Sequence, residues 1–141
     1  MGTADSAAPV TSVPEPPRAP ERAPDAVCEL PTPLNLALLF CLNGDDNPLH
    51  LDPERAKLAG FPRPILHGVA SFGVAAHAVL RTYAGYRPER LASIEARFMR
   101  PVFPGETIRT EMWRTGDDIA FRCSTVERGE ISINNGLARL R

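Results

Sequence analysis

Residues 68–86 read GVASFGVAAHAVLRTYAGY. Val69, Phe72, Ala76, Val79, Leu80 and Tyr83 fall at helical spacing and make one apolar stripe. The opposite face is also small and apolar, with Ala70, Gly73, Val74, Ala75 and Ala78. A helix that is apolar nearly all round is a buried helix. In a chain of 141 residues that helix needs a wrapper. Its His77 reads as a core histidine.

The wrapper lies downstream. ASIEARFMRPVF (92–103), ETIRTEMWRTG (106–116), DIAFRCSTVERG (118–129) and EISINNGLARLR (130–141) each alternate or are rich in β-formers. Turn signals separate them at Pro104-Gly105, Gly116-Asp117 and Arg128-Gly129. Four successive strands after one buried helix predict an α+β fold of the hot-dog type, an antiparallel sheet curled around a single long helix.

Upstream, PLNLALLFCLNG (33–44) spaces Leu34, Leu38, Leu39 and Leu42 as a helix that stops at Gly44. Asp52-Pro53-Glu54 opens a second short helix, with Asp as N-cap and Pro at the first helical position. Gly60 is its expected terminator. FPRPILHG (61–68) is extended, because its two prolines forbid a helix. Before all this, VCELP (27–31) offers a short extended segment.

Residues 1–27 are rich in Pro and Ala and carry no periodic apolar pattern, so we expect a flexible tail or linker there and one domain over 28–141. No run reaches the roughly 20 apolar residues that span a bilayer. The formal net charge of −1 gives no nucleic-acid footprint. Lys57 is the only lysine, and the arginines that replace lysine suit bidentate phosphate binding. Cys28, Cys41 and Cys123 are far apart and odd in number, which predicts reduced thiols. The default compartment is the cytoplasm, since the C-terminal ARLR is unlike a peroxisomal S-K-L.

The chemistry concentrates in GDDNPLH (44–50). Asp45 and His50 stand five residues apart across a proline-containing bend, so a carboxylate and an imidazole can share one water and its protons. Asn47 can orient either partner or a substrate carbonyl. From spacing alone, an Asx-turn with a surface histidine reads equally well. At LHG (66–68) the buried helix begins, and its free N–H groups with the helix dipole make an anion site, although a Gly68 that only allows close packing reads equally well. Asp45, His50 and His67 are metal-ligand types, but without HExxH spacing or a cysteine pair no metal is expected. Ser71 lies in GVASFG, which is not a nucleophile elbow.

The run LFCLNGDDNPLHLDPERAKLAGFPRPILHGVASFGVAAHAV (39–79) resembles the type 2, (R)-specific enoyl-CoA hydratases of the MaoC-like dehydratase family. Phe40, Gly44, Asp45, Asn47, Pro48, Leu49, His50 and Ala56 fill the family's motif, and the likeness extends over about residues 27–140. It implies a hot-dog fold and reversible hydration of a trans-2-enoyl-CoA to the (R)-3-hydroxyacyl-CoA. Asp45 and His50 match the catalytic pair, Asn47 the supporting asparagine and Gly68 the backbone donor to the thioester carbonyl. On the substrate side we assign His67, Ser71, Arg63, Arg97 and Arg100, the arginines for phosphates of CoA or of an acyl carrier protein. The resemblance implies no cofactor beyond the CoA of the substrate. The chain looks like the second half of two-hot-dog hydratases, so a homodimer is expected, with a second hot-dog chain as the alternative partner and a 3-hydroxyacyl-ACP dehydratase as the alternative activity.

Overall fold

A computed structural model describes residues 14–141, and residues 1–13 of the expected tail lie outside the described residues. Five strands, β1 (Ala26–Pro31), β2 (Leu91–Phe98), β3 (Thr107–Thr115), β4 (Asp118–Thr125) and β5 (Ile131–Leu140), form one antiparallel sheet in the order β1-β3-β4-β5-β2. The long helix α3 (Gly68–Val79) continues into a π-type turn, Leu80–Ala84, and packs on β1, β2 and β3. This is the expected hot-dog arrangement. Gly105, Gly116 and Gly129, at the three expected strand turns, all take positive φ.

The helix presents a different face to the sheet than its bulk suggests. Ala70, Ser71, Ala75, Ala78 and Val79 are buried, whereas Val69, in the expected core stripe, is 63% exposed, and His77, expected in the core, is exposed too. Small side chains let α3 lie close to the sheet, over Ile108, Met112, Phe121 and Ile133, each with no exposed surface. Phe72, Val74, Leu80 and Tyr83 are partly buried and pack against the same core from the sides of the helix.

Strand β5 carries the sequence Asn134-Asn135-Gly136 without turning. Asn135 takes φ +49, and the pairing register shifts around it against both β2 and β4. That is a β-bulge, and asparagine tolerates the left-handed backbone it needs. Gly136 pairs with Phe121, whose ring lies where a glycine Cβ would be, 2.5 Å away.

The boundary expected at residue 27 falls inside β1. The Asp25 N–H donates to the Met112 carbonyl at 2.8 Å, and the Trp113 Nε1–H donates to the Arg22 carbonyl at 2.8 Å. The Asp25 carboxyl accepts the Arg114 N–H, and the Arg22 guanidinium beside it, followed by that N–H, holds it down at about 2. The described end of the tail thus runs on the sheet. Composition misses this because the partners that hold it come from β3, some ninety residues away.

Upstream, α1 (Leu36–Cys41) and α2 (Pro53–Leu58) form as short helices. The Asp52 side chain accepts the Glu54 N–H, and Gly60 ends the turn after α2 with φ +90. Between them Pro48–His50 makes a 3₁₀ turn.

Candidate active site

Two segments build the site. The first is the loop 44–50. Asn47 accepts the Leu49 N–H at 3.0 Å and so caps the 3₁₀ turn that carries His50. Asp45 is exposed and His50 half-buried. The Nδ1 of His50 lies 2.8 Å from the Ile65 carbonyl, an oxygen that only accepts. Nδ1 therefore carries the hydrogen and Nε2 keeps a free lone pair.

The second segment is Ile65–Gly68, which leads into α3. The Leu66 N–H donates to the Val102 carbonyl at 2.7 Å, tying this segment to the loop between β2 and β3. His67 is the N-cap of α3, and the first helical bond runs from the Ser71 N–H to its carbonyl. The N–H groups of Gly68, Val69 and Ala70 precede that ladder at the positive end of the helix dipole.

One donor atom each from Asp45, His50 and His67 lies within 4.8 Å of the others. Two hydrogen bonds of roughly 2.8 Å each can bridge such a gap through one water. The same three residues could also hold a cation by type. Each ring gives one N–H to a carbonyl oxygen, His50 Nδ1 at 2.8 Å and His67 Nε2 at 3.0 Å, so His50 Nε2 and His67 Nδ1 are the nitrogens left to ligate one. The Cys41 thiol nearby is pushed up by burial and by the charges of Asp45 and Asp46, so it is not poised as a nucleophile.

His50, Gly68, Ser71, Phe98, Met99 and Arg100 line a cavity of about 240 Å³, most of whose wall is apolar. Ser71 and Arg100 therefore share one space with His50 and Gly68. Arg63 is not in this cavity but lines an adjoining one that His50 also borders, donating to the Pro104 carbonyl at 2.9 Å and covering the Phe103 ring. Arg97 pairs with Glu15 at 2.7 Å, outside this cavity. His67 is 1% exposed and sits behind the rim. Among the described residues its Nδ1 has no hydrogen-bond partner, a deficit of about 1–3 kcal/mol for a buried polar atom. Sequence reasoning did not single out Phe98 and Met99, or the Ile65 carbonyl, since a backbone oxygen leaves no signal in residue type.

Fold and site together define a hot-dog domain with an imidazole on the wall of a largely apolar cavity, a carboxylate within 4.8 Å of that imidazole, and the N-terminus of the central helix beside them. The model of the MaoC like domain matches residues 15–136, and the chain belongs to that family. It is 48% identical over 111 residues to "Enoyl-CoA hydratase 2, peroxisomal" of Arabidopsis thaliana, covering 79% of this chain and 36% of that protein. It is 50% identical over 103 residues to "3-hydroxyacyl-thioester dehydratase Y" of Mycobacterium tuberculosis, covering 72% and 36%. The solved structure of full-length peroxisomal multifunctional enzyme type 2 from Drosophila melanogaster superposes with a TM-score of 0.88 at 42% identity, over 97% of this chain and 25% of that one. The chain thus spans about a third or less of the lengths of these three proteins.

Proposed function

We propose that this chain is a hydro-lyase domain acting on 2-enoyl or 3-hydroxyacyl thioesters. The observation that carries the reading is the Asp45–His50 pair, one-water distance apart, beside a cavity that also receives the start of α3. In the hydration direction the thioester lies along the apolar wall with its carbonyl at Gly68. The Gly68 N–H and the helix dipole stabilise the negative charge that develops on the carbonyl oxygen. The pair takes a proton from the water as its oxygen bonds to C3. The C2=C3 π electrons become a C2–H bond with a proton returned from the pair, so one water adds in all. Dehydration runs the same steps backwards. The names of the two hydro-lyase relatives support this class. We assign the (R) product and CoA as the carrier on the motif resemblance, with acyl carrier protein as the other carrier.

A second reading rests on surface. Leu34, Leu42 and Leu58 are each more than 80% exposed, and Val69 and Phe98 are more than half exposed. Exposed side chains of this size suit a partner where they adjoin. We propose that a second hot-dog unit covers them, either another copy of this chain or a different chain. No helix among the described residues is long and apolar enough to cross a membrane. The relatives named peroxisomal stand against taking the cytoplasm as the default compartment.

The test is the loss of enoyl-thioester ultraviolet absorbance with crotonyl-CoA, together with the mass in solution. Turnover that disappears in Asp45→Asn supports the reading. A folded protein that leaves crotonyl-, decenoyl- and carrier-protein-linked enoyl thioesters untouched, alone and with a second hot-dog chain, refutes it.

A further inference from the structure

We propose that His67 is a positioning residue that holds Asp45 and His50 in register with one another. The inference rests on reading those two as the acid–base pair. His67 is 1% exposed, so its ring meets protein and not solvent. Although it occupies the N-cap of α3, its side chain makes no capping hydrogen bond. The ring is used for something else.

Its contacts, which include the Cys41 Sγ 3.7 Å from Nε2, answer for what. Nε2 lies 3.0 Å from the carbonyl oxygen of Asp45, which can only accept, so Nε2 carries the hydrogen and pins the backbone from which the carboxylate projects. The face of the same ring stacks on His50, with centroids 3.7 Å apart and planes 26° apart. Phe40 packs against it at 4.7 Å. One buried ring therefore touches both members of the pair, one through its edge and one through its face. Among the described residues its Nδ1 is left without a partner, as expected where the ring's other contacts dictate its orientation.

The chain order makes the coupling tight. Ile65 fixes the His50 tautomer, Leu66 ties the segment to Val102, His67 locates both side chains, and Gly68 presents its N–H. Four consecutive residues thus set the positions of three proposed functional groups. Few side chains could replace the imidazole. Phenylalanine offers the face without the donor, and glutamine offers the donor without the face.

Those two substitutions separate the contacts. His67→Phe and His67→Gln are each expected to lower kcat by 10- to 100-fold while KM changes by less than threefold, since neither faces the cavity. Nitrogen-15 spectra of the imidazoles, recorded without substrate, supply the second readout. The wild type should show His50 with a bare Nε2 and a slowly exchanging Nε2–H on His67. In the variants the His50 tautomer should become mixed.

Folded variants with kcat within twofold of the wild type and an unaltered His50 tautomer would overturn the proposal, because a packing role alone lowers only thermal stability. So would a wild-type spectrum in which the His67 Nε2–H exchanges freely, whatever the variants do. The spectra do not need turnover, so an inactive wild-type chain would count against the proposed function and leave this test standing.

Discussion

The Nδ1–H of His50 donates to the carbonyl of Ile65 at 2.8 Å, and that one bond decides which ring nitrogen can take a proton from water. Fifteen residues separate the two, and the whole of α2 lies between them. With Nε2 free and Asp45 within 4.8 Å, Asp45→Asn and His50→Ala should each lower turnover by at least ~100-fold, the usual scale for losing an acid–base group. Neither position is buried in the core, so far-ultraviolet circular dichroism and thermal midpoints should stay close to the wild type.

Gly68 allows the backbone donor to be removed alone. Proline suits the first position of a helix, where its missing N–H breaks no helical bond. His67 before it has φ −57 and ψ 134, the extended backbone that a following proline prefers. Gly68→Pro should therefore leave the fold in place and lower kcat by roughly 100-fold, the scale for losing one oxyanion donor. Gly68→Ala, which keeps the N–H and sets a methyl 3.4 Å from the Phe98 ring, is the control and should fall much less. Equal losses in the two variants would remove Gly68 from the mechanism.

Acid should loosen the loop that the site leans on. Both oxygens of buried Glu106 accept from Arg128, and one also takes the Phe103 N–H at 2.8 Å. Burial pushes the Glu106 carboxyl up, but the Arg128 and Phe103 hydrogen bonds outweigh it and hold the group below its ordinary value of 4.5. A depressed carboxyl adds stability above its unfolded pKa and loses it as pH falls through the folded value. Urea midpoints should therefore drop on going below about pH 4.3, near the unfolded glutamate value. Glu106→Gln should flatten that drop, and Arg128→Ala should cost ~3 kcal/mol at neutral pH by leaving a buried charge unpaired.

The glycine in β5 is a packing requirement. A Cβ at Gly136 would meet the ring of fully buried Phe121 at 2.5 Å, and the ring is held by core neighbours. Gly136→Ala should destabilise by about 1–3 kcal/mol. Urea unfolding will read it, and Phe121→Leu in the same background should recover part of the loss.

Much of the fold was legible locally. Turn glycines, the Asp52 cap and the alternation in 92–141 need only residues a few positions away, and each produced the element expected of it. The helix at 68 was equally plain, but its inward face was not. Periodicity marks a helix as apolar all round and says nothing of which side meets the sheet. Here closeness of packing favoured the alanines over Val69. The course of residues 22–25 has a related cause, since β3 holds them in addition to their own Arg22–Asp25 ion pair.

The site divides in the same way. The sequence by itself determined the element order, the polar turn with Asp45, Asn47 and His50, and the small residues at the head of α3. These follow from backbone preferences and neighbouring side chains. Only the tertiary structure decided that Ser71 and Arg100 share one cavity with His50 and Arg63 an adjoining one, while Arg97 pairs with Glu15 and His67 lies behind the pair. Those outcomes depend on contacts between residues that lie far apart along the chain, and such contacts exist only once the sheet has brought the segments together.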